Sequence, residues 1–159
     1  KYMQNVATMK YTYDMISDAY YDGRTICIFR LSDVILCKAE IENNLNGPAA
    51  ALPYLNQIRA RAGAPEYGKH NRFPAPSTKE AMNDAILKER GYELVFEFQR
   101  RADLIRFGKY EEVVNAHLKK LGIAQPTNVT SDLRHFPYPL NDAQLNPNLA
   151  AENPSRLPK

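Results

Sequence analysis

The chain has 159 residues, enough for one domain with a core of its own and too few for two comfortable ones. Apolar residues make up 44% and charged residues 25%, which excludes a disordered segment, and no apolar run approaches the ~20 residues of a membrane span. The net charge of +3 comes from Lys and Arg interleaved with Asp and Glu, without the basic face or run that marks a nucleic-acid binder.

In chain order, residues 1–24 carry Tyr2, Tyr11, Tyr13, Tyr20 and Tyr21 among polar residues without a period, and read as extended or irregular. The chain opens on Lys1-Tyr2 with no initiator Met, as a piece of a longer protein would, so a missing targeting signal says nothing of location. From Phe29 the spacing becomes helical, with a wide buried face at Leu31, Val34/Ile35 and Lys38/Ala39. Ser32 or Asp33 is placed to cap or open this helix, and the run from Asn43 to Gly47 ends it. Pro48 suits a first turn, and Ala49 to Ala62 form a second amphipathic helix stopped by Gly63 and Pro65. Pro53 removes an interior backbone bond, so this helix either starts late or bends there. The two helices form an αα-hairpin.

Residues 64–76 hold three prolines and read as a loop. Ser77-Thr78-Lys79-Glu80 is a capping box, opening a long helix through Met82, Ile86, Leu94 and Phe98 that Asp103 to Phe107 continue or restart. A further helix runs from Tyr110 to Leu121, with Glu111 and Glu112 near its start and Lys119 and Lys120 near its end, matching the macrodipole. Six of the 11 prolines lie beyond Gly122, so residues 122–159 are expected to run as an irregular, extended tail. The fold class is mainly α, with the helical region at about 29–121 and irregular, proline-rich ends.

The richest stretch runs from Glu89 to Arg106. Glu89, Glu93 and Glu97 are spaced by four and stack on one helical face among Leu94, Val95, Phe96 and Phe98. Carboxylates among apolar neighbours must be paired. The sequence offers Arg101 to Glu97 at i,i+4, Arg106 to Asp103 at i,i+3, and Arg59 and Arg61 of the preceding helix for the rest. Paired acids also serve glycosidases as general acid and base, but those oppose each other across a cleft. Three acids in one column, dense with arginine, read as a structural ion-pair network. Cys27 and Cys37 read as buried free thiols, since no pattern suggests a disulfide scaffold or a metal. His70, His117 and His135 are too scattered for a metal site. No nucleophile motif, phosphate loop or cofactor motif is found. Asn128-Val129-Thr130 matches a glycosylation sequon of the kind that arises by chance.

Four ordered blocks resemble a known family. Phe29 to Glu40 is similar to its R-L-A-D-V-L-L-M-x-A-E helix, and Tyr54 to Gly63 to its L-N-x-I/V-R-x-R-A-G segment. Ile86 to Lys109 resembles I-x-x-E-R-x-x-E-L-x-F-E-x-x-R-x-x-D-L-I-R-x-G. Phe136-Pro137-Tyr138-Pro139, Asn146-Pro147-Asn148-Leu149 and Asn153-Pro154 resemble its closing motifs. The departures are Gly91 inside the long helix and Glu152 where the family favours Gln. By this resemblance the chain is identified as the C-terminal part of a SusD/RagB-type protein.

The resemblance implies a helical scaffold with a tetratricopeptide-like helix pair at residues 29–63. It implies a non-enzymatic lipoprotein of the Bacteroidetes outer-membrane surface, binding oligosaccharides or polysaccharides beside a SusC-like TonB-dependent transporter, without cofactor. The lipid-bearing Cys would lie upstream, so neither Cys27 nor Cys37 takes that role. Glycan contacts are expected largely on elements outside this chain. Within it, Tyr67 and Phe73 of the 64–76 loop are the candidate carbohydrate-binding residues, with loop packing as their ordinary alternative. A helical protein–protein scaffold without glycan is the second reading, and a helical glycan-cleaving enzyme a distant third.

Overall fold

The computed structural model describes residues 27–122, 129, 130, 134, 136 and 138–152. The tyrosine-rich stretch 1–24, His135 and Asn128 of the sequon lie outside the described residues. Seven helices are found among those described: α1 (Leu31–Asn46), α2 (Pro48–Arg61), α3 (Lys79–Glu93), α4 (Arg100–Arg106), α5 (Tyr110–Lys120), α6 (Leu140–Leu145) and α7 (Pro147–Glu152). The protein is mainly α.

Gly47 alone separates α1 from α2. At φ 88 it adopts a backbone that L side chains rarely take, and its N–H closes back on the Asn43 carbonyl at 3.1 Å. So short a link returns the chain antiparallel and makes the αα-hairpin. α2 begins at Pro48 and continues through Pro53, whose ring lies on the exposed side, so the late start is corrected. The α3 start is also shifted by one residue. Thr78, not Ser77, is the N-cap, its hydroxyl accepting from the Ala81 N–H at 3.1 Å, which removes Glu80 from a reciprocal box.

α1, α2 and α3 enclose one core of Leu36, Ala39, Ala51, Leu55, Ile58, Met82, Ala85 and Ile86. Burying each large aliphatic stabilises the fold by roughly 1.5–3 kcal/mol. Asn43, fully buried, ties α1 to α3 by donating to the Lys79 carbonyl and the Asn83 side chain, both at 2.8 Å. The inward face of α1 is therefore Ser32, Leu36, Ala39 and Asn43, not the face expected from Leu31 and Val34. Leu31, Val34, Ile41 and Leu45 form an exposed stripe, 72%, 61%, 56% and 74% accessible. Apolar periodicity marks a helical face without saying which of two apolar faces the neighbours cover.

The long helix expected through Phe98 ends at Glu93. Residues 94–98 form turns in which Phe96 (φ 61) and Phe98 (φ 62) occupy the left-handed region, costing roughly 1–2 kcal/mol each. That turn points both phenylalanines outward and buries Leu94 and Glu97, after which α4 restarts at Arg100. The tail is not extended throughout, because Leu140–Leu145 and Pro147–Glu152 are short helices. Their prolines stand at helix starts, Pro139 as N-cap and Pro147 as first residue, where a missing N–H costs nothing. α5 has the expected charge order but no buried residue.

Candidate functional site

Five arginines and six acids knit α1 to α4 together. Arg30, just before α1, lies 2.8 Å from Glu97 through Nε and also pairs with Glu93 and the Ser32 hydroxyl. Arg61 of α2 reaches Glu93 at 2.6 Å, and Arg59 reaches Glu89 at 2.7 Å with both side chains 5% exposed. Arg90 of α3 stands between Asp33 of α1 at 2.7 Å and Asp103 of α4 at 2.8 Å. Arg106 closes the set, bonded to Glu40 of α1 and 3.2 Å from Asp103.

Most of these contacts join residues far apart in sequence, so the network fixes tertiary geometry. Because the helix breaks before it, Glu97 does not stack in one column with Glu89 and Glu93. Its carboxylate accepts from Arg30 with both oxygens, at 2.8 and 2.9 Å. Arg101, expected opposite Glu97 on a continuous helix, donates to the Arg134 carbonyl at 2.9 Å and lies over the Tyr110 and Phe136 rings. Arg30, Asp33, Glu40 and Arg90 were not assigned to a network from sequence. The available signal was their place inside the first and third motif blocks, charged residues flanked by apolar ones.

The electrostatics suit structure better than proton transfer. Burial pushes the Glu93 carboxyl up, but hydrogen bonds from Arg30, Ser32 and Arg61 outweigh it and hold the group below the ordinary carboxylate range. A glycosidase acid needs the opposite shift. Burial lowers the Arg90 guanidinium, and its bonds to Asp103 and Asp33 more than reverse this, so it stays charged. Cys37 lies 3.5 Å from Arg90, yet burial raises its thiol above the usual value. Cys37 and Cys27 are both free, and Cys27 is exposed rather than buried. Among the described residues no cluster of His, Cys, Asp and Glu could hold a metal, and no helix is long and apolar enough to cross a membrane. His70 and His117 are exposed.

Above the Arg59–Glu89 pair sits the 64–76 loop. The Asn56 side chain holds it by both ends of the Tyr67 peptide unit, accepting from its N–H at 2.8 Å and donating to its carbonyl at 3.0 Å. Arg59 donates to the Pro65 carbonyl at 2.7 Å. The Tyr67 and Phe73 rings meet edge to face at 5.9 Å, and the Arg59 guanidinium lies over both, 4.6 and 4.7 Å from their centres. Both candidate aromatics are half-buried and packed, and both line a surface cavity of about 490 Å³ shared with Lys88, Tyr92 and Glu93. A second cavity of about 470 Å³ lies between the 72–77 segment and α3, and a third of about 290 Å³ beside Gly91 and Arg100. Lys88 lines all three, and Tyr92, 63% exposed, lines two. Tyr92 was not singled out from sequence because it sits at a variable position of the third block.

These elements make a helical scaffold locked by internal ion pairs, with an aromatic-walled cavity on its surface. The chain belongs to the SusD family, whose model matches residues 1–155. It is 39% identical over 120 residues to SusD-like protein P25 of Formosa agariphila, covering 76% of this chain and 22% of that one. It is 28% identical over 137 residues to the starch-binding protein SusD of Bacteroides thetaiotaomicron, covering 85% and 22%. The crystal structure of a SusD superfamily protein from Bacteroides vulgatus superposes with a TM-score of 0.58 at 28% identity, covering 76% of this chain and 25% of that one. The chain thus spans about a quarter or less of the length of these relatives. SusD family proteins are binding proteins rather than enzymes and are associated with the outer membrane.

Proposed function

We propose that this chain is the C-terminal helical part of a glycan-capturing subunit, which holds oligosaccharides at the outer-membrane surface for import through a SusC-like TonB-dependent transporter. The observation that carries the reading is the family match across residues 1–155, with a starch-binding protein among the relatives. The exposed stripe of α1 and the outward Phe96 and Phe98 support it, because apolar faces of that kind belong against further protein. Membrane attachment would come from a lipid carried upstream. The residues from Arg59 to Arg106 that form the ion-pair network have a structural role, holding the scaffold that displays the ligand.

The test is affinity electrophoresis of the whole protein in gels cast with individual polysaccharides, run beside co-purification with the neighbouring transporter. Retardation by at least one polysaccharide, with a flat reducing-sugar assay, is the expected result. Co-purification with the transporter without any retardation would instead favour the protein–protein scaffold.

A further inference from the structure

We propose that the groove along the outer side of α3 is an auxiliary subsite for an anionic oligosaccharide, a sugar chain carrying carboxylate or sulfate groups. The inference rests on the glycan-capturing reading and deepens it.

The three cavities share Lys88, so they adjoin as one trough running from the 72–77 segment past Tyr92 to Arg100. A trough open along its length suits a chain-like ligand better than a compact one. Its wall is preorganised. Asn56 and Arg59 fix the loop through backbone groups, and the Gly68 N–H donates to the Phe73 carbonyl at 2.8 Å, so little ordering entropy is left for binding to overcome. Tyr92 offers its ring at the mouth, an amphipathic surface that stacks on the C–H face of a pyranose while its hydroxyl hydrogen-bonds.

Charge decides the class of sugar. The acids beneath the trough are already neutralised, Glu89 by Arg59 and Glu93 by Arg30 and Arg61. Along the trough itself Arg72, Lys88 and Arg100 have no carboxylate partner among the described residues, and Arg100 donates only to the Leu87 carbonyl at 2.7 Å. Among the described residues that line it, Asp84 is the one acid left to oppose three cations. A neutral glycan would use Tyr92 and leave that excess uncompensated. An anionic chain uses both, ring against ring and anion against cation.

The experiment is isothermal titration of the whole protein with matched neutral, uronate-containing and sulfated oligosaccharides. The wild type is expected to bind one of the acidic series more tightly than the neutral one, and the two acidic arms tell carboxylate from sulfate. Tyr92→Ala is expected to weaken that binding roughly tenfold, which corresponds to about 1.4 kcal/mol. Lys88→Gln should weaken it several-fold, Lys88→Arg should retain it, and salt should erode it as charges are screened. Both positions are exposed, so the unfolding midpoint should not move. Equal affinity for neutral and acidic chains would overturn the anionic assignment. A wild type that binds glycan while Tyr92→Ala and Lys88→Gln bind as tightly would overturn the subsite and leave glycan capture standing. A wild type that binds none of the panel would bring down the glycan-capturing reading itself.

Discussion

Arginine and its neighbours do two different things on the two sides of α3. On the inner side Arg90, 3% exposed, is clamped between Asp33 and Asp103, and every element from α1 to α4 contributes a charge to the network. On the outer side Lys88 and Arg100 line the open trough with no carboxylate partner among the described residues. The inner charges are desolvated and therefore demand partners, while the outer ones stay hydrated and are available to a ligand. One helix thus serves as both strut and display surface, and the two roles separate by substitution.

The largest effect is expected from Arg90→Ala in the whole protein. It leaves Asp103 buried with only the half-exposed Arg106 beside it, and removing one partner of a buried pair costs about 3–5 kcal/mol. Urea unfolding should show the loss as a lower midpoint. An unchanged midpoint would mean that the inner network is not needed for the fold. Glu97→Gln comes next. Its carboxylate is 3% exposed but its partner Arg30 is 23% exposed, so loss of the charged bond should cost about 2 kcal/mol. Glycan retention by the folded variant should not change. A stable Glu97→Gln protein that no longer holds glycan would erase the distinction between strut and display.

Acid should act on the inner side first. The folded-state pKa of Glu93 lies below its unfolded value near 4.5, so the unfolded chain takes up the proton at higher pH. The Glu93 contribution is complete above about 4.5 and is lost as pH falls through the depressed folded value. Unfolding midpoints measured down that range should decline, and Glu93→Gln should flatten the decline. A wild-type profile with the same slope as the variant would show that Glu93 contributes no linkage.

Much of this architecture can be read from the chain, and the failures have physical causes. The hairpin was legible because Gly47 and Pro48 punctuate two amphipathic runs. The break after Glu93 was not, since Leu94 to Phe98 have helical apolar spacing and contain no Gly or Pro. There tertiary demand overrides local preference, and the chain accepts two left-handed phenylalanines to place Glu97 against Arg30. Tyr67 and Phe73 were visible as loop aromatics, but the cation over both rings comes from Arg59 of α2, a residue that looks committed to the acids of α3 alone. Unpaired cations on an outer face leave no mark in sequence, because pairing depends on which acids other helices bring near.

The smallest effect on stability, and the finest test of the comparison, is at Gly91. Glycine inside a helix is about 1 kcal/mol less favourable than alanine, so its presence in α3 calls for a reason. A Cβ built there would meet the Arg100 guanidinium at 2.9 Å, and that guanidinium lies across α3 to donate to the Leu87 carbonyl. The missing side chain leaves room for the flexible end of Arg100 to lie against α3. Gly91→Ala should gain helix propensity and lose the Arg100 hydrogen bond, two contributions of about 1 kcal/mol that nearly cancel. The unfolding midpoint should stay almost still while affinity for the acidic glycan falls, because the displaced guanidinium no longer lines the groove. A variant stabilised by the full propensity gain, with acidic glycan bound as before, would show that the lodged Arg100 contributes to neither side of the helix.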